Sequence, residues 1–168
     1  MSNLLYQPED WGNIFKVEKD NLKFVLPEFK FNIEHIGATS IVNCRSFRNV
    51  DILISLSDFK DIYTAAMLLN SRGYKLLNAQ SRSDCALLIK REKYKKIGVT
   101  IRIVEYGSDF YNRCKAFQVV LKESYDRTQM YNNFREELFT KYPKNIKRYN
   151  EIKYDYINSQ LDYYFKFQ

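Results

Sequence analysis

The chain has few of the residues on which many catalytic and metal sites depend. It contains one histidine, His35, among 168 residues. Ser/His/Asp and Cys/His triads are therefore left with almost no support. Its three cysteines, Cys44, Cys85 and Cys114, are scattered and form no C-x-x-C pair, and no zinc-ligand spacing is present. An odd, unpaired set points to reduced thiols, and the N-terminus has neither a basic n-region nor an apolar h-region, so the expected location is cytoplasmic. No uninterrupted apolar run approaches the roughly 18 residues of a membrane span, so no membrane association is expected. With five glycines and three prolines, the chain has few forced turns. It also lacks internal repeats, low-complexity segments and a recognisable linker.

What is present is bulky and basic. Hydrophobic residues make up 45% and aromatic residues 16%, with fourteen Tyr and twelve Phe, a globular composition and not a disordered one. The length fits one domain over 1–168, with a sheet-bearing core over about 1–107 and a helical part over about 108–168. The net charge of +7 favours anionic partners, although the charge is spread along the chain like that of an ordinary solvated surface.

Periodicity gives the elements. Pro8 to Leu26 reads as a helix, with Trp11, Ile14, Phe15, Leu22, Val25 and Leu26 at helical spacing and Pro27 placed to end it. Phe31 to Ile36 reads as a strand. Val50 to Leu56 alternates strictly, with Val50, Ile52, Ile54 and Leu56 on one face and Asp51, Leu53 and Ser55 on the other. Ser57 or Asp58 caps a helix striped by Phe59, Ile62, Ala66 and Leu69, and Gly73 stops it. Strands over Asp84–Ile89 and Ile97–Glu105 flank the basic turn Lys90–Lys96. Three helices complete the chain: the first capped by Ser108 and striped by Phe110/Cys114/Phe117/Leu121, the second striped by Met130/Tyr131/Phe134/Leu138, and the third opened by Pro143 and striped by Ile146/Tyr149/Ile152/Tyr156 with Tyr163. The order predicts an α/β (α+β) fold, a mixed sheet with packed helices and a helical C-terminal third.

Chemistry concentrates around the turn Gly37-Ala38-Thr39-Ser40. A glycine allows a sharp turn with exposed amides, and Thr39 and Ser40 add hydroxyl donors that suit a phosphate. Asp51 follows on the polar face of the next strand. It is either a Mg²⁺ ligand beside that phosphate or a structural carboxylate paired with a nearby cation such as Arg45 or Arg48. Arg102 has the same polar-face placement on the Ile97–Glu105 strand. It serves either as a bidentate phosphate ligand, as a partner of Asp51, or as a solvent-facing edge charge. His35 shares parity with Phe31 and Ile33, which favours a hydrogen-bonded structural residue over a base. The turn Lys90–Lys96, with Tyr94 as a stacking platform, is either a nucleic-acid contact or a solvated hairpin tip.

The block Glu34-His35-Ile36-Gly37-Ala38-Thr39-Ser40, with Asp51 at the matching distance, resembles the E-H-I-G-S-T-S motif and following Asp strand of the GrpB-like family. Tyr6-x-Pro8-x-x-Trp11 is similar to that family's opening, and Phe134-Arg135-Glu136-Glu137-Leu138 with Pro143, Tyr149 and Lys153 resembles its tail. The resemblance covers nearly the whole chain. It departs at Val42-Asn43-Cys44, where the family has Pro-Gly-Leu, at Phe47-Arg48, where it has Lys-Pro, and at Ile101-Arg102-Ile103, where it has a histidine between leucines. The stretch Asp109–Asn133 is also longer.

The resemblance implies a nucleotidyltransferase-like fold. Nucleotidyltransferases carry a second acid two residues after the first, and here that position is Leu53. Glu105 is a candidate late carboxylate, but its parity is that of the apolar face. One firm acid falls short of a two-metal site. The expected site therefore comprises Gly37, Ala38, Thr39, Ser40, Arg48 and Arg102 for a nucleotide or other phosphorylated small molecule. Asp51 is the catalytic and Mg²⁺-binding candidate, and His35 and Glu105 are further pocket candidates. Nucleotidyl transfer, a non-catalytic binding or regulatory module with a degenerate metal site, and a basic nucleic-acid binder all remain open.

Overall fold

The computed structural model describes residues 10–77, 85–91 and 97–166. Eleven segments follow one another. Helix α1 (Trp11–Val25) leads to strand β1 (Phe31–Ile36) and a 3-10 turn (Ala38–Ser40). Strand β2 (Asn49–Leu56), helix α2 (Asp61–Ser71) and strands β3 (Lys75–Leu76), β4 (Cys85–Arg91) and β5 (Gly98–Glu105) come next. Helices α3 (Asp109–Lys122), α4 (Tyr125–Lys141) and α5 (Ile146–Lys166) form the last third. The five strands make one mixed sheet in the order β1-β2-β5-β4-β3. Only β2 and β5 pair in parallel; the other neighbours are antiparallel.

The period-2 alternation of β2 and β5 sorts their side chains between two layers. Val50, Ile52, Ile54 and Leu56, with Val99, Ile101, Ile103, Ala86 and Leu88, form the main core under α1 and α2. Trp11, Leu22 and Leu26 of the α1 region and Ile62, Ala65, Ala66 and Leu69 of α2 close it. On the other face Ile36, Leu53, Cys85 and Val104 pack against Phe110, Tyr111 and Cys114. A third cluster joins Ile41 and Cys44 to Leu121, Tyr131, Phe117, Phe134, Tyr156 and Ile157, and so ties the segment before β2 to the last three helices. Three layers result, with α1 and α2 on one side of the sheet and the C-terminal helices on the other.

Several expectations require adjustment. Asp10 caps α1 by accepting from the Asn13 amide at 3.1 Å, while Pro8 and Glu9 lie outside the described residues. Helix α2 begins at Asp61 without a side-chain cap, since Asp58 Oδ1 instead accepts from the Lys60 amide at 2.9 Å, and Phe59 is exposed. Gly73 does end this helix region, with φ of 91°. Strand β3, two residues long, was too short to give a periodic signal. Ser108 caps α3 as expected. Met130, Ile146 and Tyr163 were assigned to packed stripes but are exposed. Pro143 does not open α5; the helix starts at Ile146, where Asn145 Oδ1 accepts from the Arg148 amide at 3.0 Å. No described helix is long and apolar enough to cross a membrane.

Candidate functional site

The parallel register fixes the floor of a cavity. Asp51 lies opposite Thr100, and Leu53 opposite Arg102. Asp51 and Arg102 thus sit one same-face step apart on neighbouring strands, with Arg102 Nη1 3.9 Å from Asp51 Oδ1. Asn49 Nδ2 also donates to Asp51 Oδ1, at 3.1 Å, and the Arg102 guanidinium lies 5.8 Å from the centre of the Phe110 ring. Among the described residues Arg102 has no hydrogen-bond partner closer than this loose ion pair, so its planar fork is largely uncommitted.

Gly37 is required at the rim of this floor. Its φ is 70°, and a Cβ there would stand 2.7 Å from Asp51 Oδ2. Any side chain would be strained and would collide with the carboxylate. The 3-10 turn that follows presents Gly37 and Ala38 to the cavity, but not its hydroxyls. Thr39 Oγ1 is hydrogen-bonded to His35 Nε2 at 2.8 Å. Ser40 Oγ donates to the Gly37 carbonyl at 2.7 Å and accepts from Gln118 Nε2 at 2.8 Å. Gln118 Nε2 also donates to the His35 carbonyl at 2.8 Å, so α3 is fastened to the turn. Thr39 and Ser40 therefore build the frame rather than line the cavity.

The remaining sequence candidates lie elsewhere. His35 points into the α1 side of the sheet, stacked on Phe15 at 4.8 Å between ring centroids. Burial, with a smaller contribution from Lys122, lowers its pKa to about 4, so it stands neutral at physiological pH. Glu105 shares the face of Ile101 and Ile103, opposite Leu56 at the far end of the strand pair, and does not line the cavity. Arg48 does not line it either; its carbonyl accepts from the Gly98 amide at 2.8 Å beside the start of β2. Lys90 is committed to the buried Glu18, at 3.2 and 3.3 Å, and lies over the Tyr74 ring, which removes it from a nucleic-acid surface. Residues 92–96, with Tyr94 and Lys95, lie outside the described residues.

The walls come from the C-terminal helices. Helix α3 contributes Phe110, Arg113, Cys114, Phe117 and Gln118; α4 contributes Tyr131 and Arg135; α5 contributes Asn150, Lys153, Tyr154, Ile157, Asn158 and Leu161. The cavity is about 450 Å³, within the range of small-molecule sites. Arg135 is buried, donates from Nε to the Tyr149 hydroxyl at 3.2 Å and from Nη1 to the Arg45 carbonyl, and lies between the Phe47 and Tyr131 rings. Lys153 Nζ lies 5.6 Å from the centre of the Tyr149 ring. Arg113 Nη2 donates to Asn158 Oδ1 at 2.7 Å and faces Asp162 Oδ1 at 3.8 Å.

Three cations therefore surround one carboxylate. Asp51 keeps 31% of its side-chain surface accessible because the cavity reaches it, yet protein surrounds it on every other side. Burial raises its pKa, against the pull of Arg102, Lys153 and Arg135 in that order. Burial lowers the Lys153 pKa to about 8; Asp51 opposes this shift, while Arg135 and Arg102 add to it.

Such a setting does not fit Mg²⁺. A hard cation needs several anionic or neutral oxygens, and the lone carboxylate here already faces three positive groups. Among the described residues no cluster of three His, Cys, Asp or Glu side chains is placed to hold a metal. Leu53, where a second acid would stand, is fully buried between the sheet and α3.

Arg113, Arg135 and Lys153 carried no site role in the sequence reading. Arg135 and Lys153 appeared there only within the family-like tail. A signal was nonetheless present: Tyr149, Lys153, Ile157 and Leu161 recur every four residues, so Lys153 interrupts an otherwise apolar stripe.

Comparison with known proteins places this architecture. The chain is 24% identical over 163 residues to the glutamate-rich protein GrpB of Alkalihalophilus pseudofirmus, spanning 95% of this chain and 93% of the relative. It is 26% identical over 141 residues to a UPF0157 protein of Vibrio cholerae and 24% identical over 160 residues to the UPF0157 protein YqkA of Bacillus subtilis. The aligned regions cover 62% and 45% of those longer chains. The fold matches the crystal structure of the conserved protein GrpB from Enterococcus faecalis with a TM-score of 0.79. That match covers 96% of this chain and 99% of the other at 21% identity. The GrpB protein family model spans residues 3–162, so the sheet, the cavity and all its walls fall within the match, and the chain belongs to the GrpB family.

Proposed function

We propose that the cavity binds a nucleotide or another phosphorylated small molecule. The observation that carries this reading is the excess of cations lining the cavity: Arg102 on the floor, with Arg135 and Lys153 on the walls, around the single Asp51. Buried cations without equal counter-charge are costly, and an incoming anion removes that cost. Arg102 receives a phosphoryl oxygen pair through its fork, in the bidentate mode that suits a planar guanidinium on a rigid strand. Asp51 holds Arg102 in place while the cavity is empty. Phe110, Phe117, Tyr131 and Ile157 offer an apolar wall to the organic part of the ligand.

The nucleotidyltransferase-like fold implied by the family resemblance makes nucleotidyl transfer the natural reaction to test. The residues present favour binding without two-metal chemistry, because Leu53 occupies the place of the second acid and the cations around Asp51 repel a divalent ion. The proposal is therefore an anion-binding module in which catalysis, if assayed with Mg²⁺ and ATP, is absent or slow.

Calorimetric titration with AMP, ATP and inorganic phosphate, with and without Mg²⁺, tests this directly. Arg102→Ala is expected to weaken phosphate-ligand binding roughly tenfold or more, the loss typical of a hydrogen bond to a charged group. Lys147→Ala, at an exposed position on α5, is expected to change it far less. Equal small losses at both positions would reduce the effect to a general surface field. Failure of all three ligands to bind would end the proposal.

A further inference from the structure

We infer, resting on the reading above, that the cavity selects a terminal phosphomonoester, a doubly charged group, over a singly charged phosphodiester or carboxylate. The counting of charges carries this. Four cations line the cavity: Arg102, Arg113, Arg135 and Lys153. Arg113 faces Asp162 at the mouth, where that carboxylate is 63% exposed, and is therefore matched within the protein. Arg102 faces Asp51. Arg135 bonds to neutral groups, the Tyr149 hydroxyl, the Arg45 carbonyl and the Cys44 thiol, whose pKa burial raises. Lys153 lies over the face of the Tyr149 ring, and the carboxylate that it faces, Asp51, is shared with Arg102. Among the described residues, then, two cations at the inner end of the cavity have no carboxylate of their own.

Two unmatched positive charges in one cavity are best neutralised by two negative charges on one compact group. A phosphomonoester carries them, since its second ionisation lies at about pH 6. A phosphodiester or carboxylate carries one and leaves a buried cation unmatched. Asp51 does not change the balance, because it is already set against Arg102. Nor does another lining residue supply negative charge: Cys114 is the one ionisable acid that α3 lends to the lining, and burial pushes its thiol up to about 11. Tyr131 on α4 is also held neutral by burial. The groups that face Lys153 are thus Asp51 on β2, Arg102 on β5 and Arg135 on α4. Near neutral pH Lys153 is mostly protonated and the two-charge excess stands.

AMP and adenosine 3′,5′-cyclic monophosphate make a suitable pair of probes, because base and sugar are shared and the phosphate differs by one charge. At pH 7.5 and low salt, AMP is expected to bind at least about tenfold more tightly than the cyclic diester. Lys153→Met is expected to lower AMP affinity by a similar factor, to change the cyclic ligand much less, and so to bring the ratio towards one. Lys153→Gln serves as a second neutral variant, and circular dichroism checks that both fold. Equal affinities in the wild-type protein would overturn the inference while leaving a phosphorylated ligand in place. A tenfold ratio that survives in both Lys153 variants would also overturn it, since the discrimination would then lie in shape and not in charge. If neither AMP nor inorganic phosphate binds, the inference falls together with the reading on which it rests.

Discussion

Lys153 shows at the scale of one residue what a cation in the cavity wall costs the fold. Its pKa falls from the ordinary lysine value of 10.5 to about 8 in the folded chain, chiefly through burial. Below about pH 8 both folded and unfolded chains hold the proton, and the full penalty of a buried ammonium is present. Between about 8 and 10.5 the unfolded chain binds more protons, so stability rises with pH across that window. Lys153→Met is therefore expected to raise the stability of the ligand-free protein by about 1–3 kcal/mol at pH 7, less as the pH approaches 10. Urea denaturation of both proteins at pH 7 and pH 9.5 checks this, and an unchanged difference between the two pH values would contradict it. Residue-scale legibility was uneven for the same physical reason. Asp51 and Arg102 could be read because each breaks a strict alternation on a strand, where parity alone assigns the face. Thr39 and Ser40 could not, because a hydroxyl's choice between ligand and framework depends on partners such as His35 and Gln118 from other parts of the chain. Lys153 and Arg135 were obscured because a cation on a helix is normally solvated.

At the scale of elements, β2 decides what the site can become. Its polar face holds Asp51, Leu53 and Ser55, and beyond Asp51 this face is closed by packing. Leu53 is wholly buried against Ile36, Cys85 and Val104, under Phe110 of α3. Restoring an acid at that position is not expected to create a metal site. Leu53→Asp should instead destabilise the fold by about 3 kcal/mol or more, combining lost apolar burial with an unpaired buried carboxylate. Chemical denaturation with and without added Mg²⁺ measures this, and rescue of stability by Mg²⁺ would show that the strand still holds a latent two-acid site. The strands and their faces were legible because alternation survives burial on both sides. Strand β3 was not, having two residues, and the starts of α2 and α5 shifted: the Asp58 carboxylate is spent on the Lys60 amide ahead of α2, and Asn145 rather than Pro143 stands at the start of α5.

For the whole molecule, the three layers leave all cysteines unbridged, with Cys44 and Cys85 buried and Cys114 partly accessible through the cavity. Burial raises the Cys114 pKa to about 11, so little of it is thiolate at neutral pH. Three thiols are expected to titrate after unfolding without reductant. In the native protein one thiol, Cys114, is expected to react slowly, and AMP should slow it further by filling the space beside it. Native labelling followed by peptide mapping checks this, and faster reaction at Cys44 or Cys85 would mean that the layers open more readily than their burial indicates. The mixed α/β arrangement with a helical last third was legible from the order of periodic segments. The cavity was not, because it exists only where two layers face each other, and periodicity describes one element at a time.

The layering also sets a sequence in time. Gly37, Asp51 and Arg102 belong to the strand-bearing part of the chain, whereas Arg135 and Lys153 follow on α4 and α5. During synthesis the ribosome releases the acid and its arginine first, and these two can neutralise each other while they wait. The unmatched cations arrive only when the final helices emerge and close over the sheet. A nascent chain therefore lacks two of the cavity's cations until its last layer is in place, and the assembled cavity is a mark of the completed molecule.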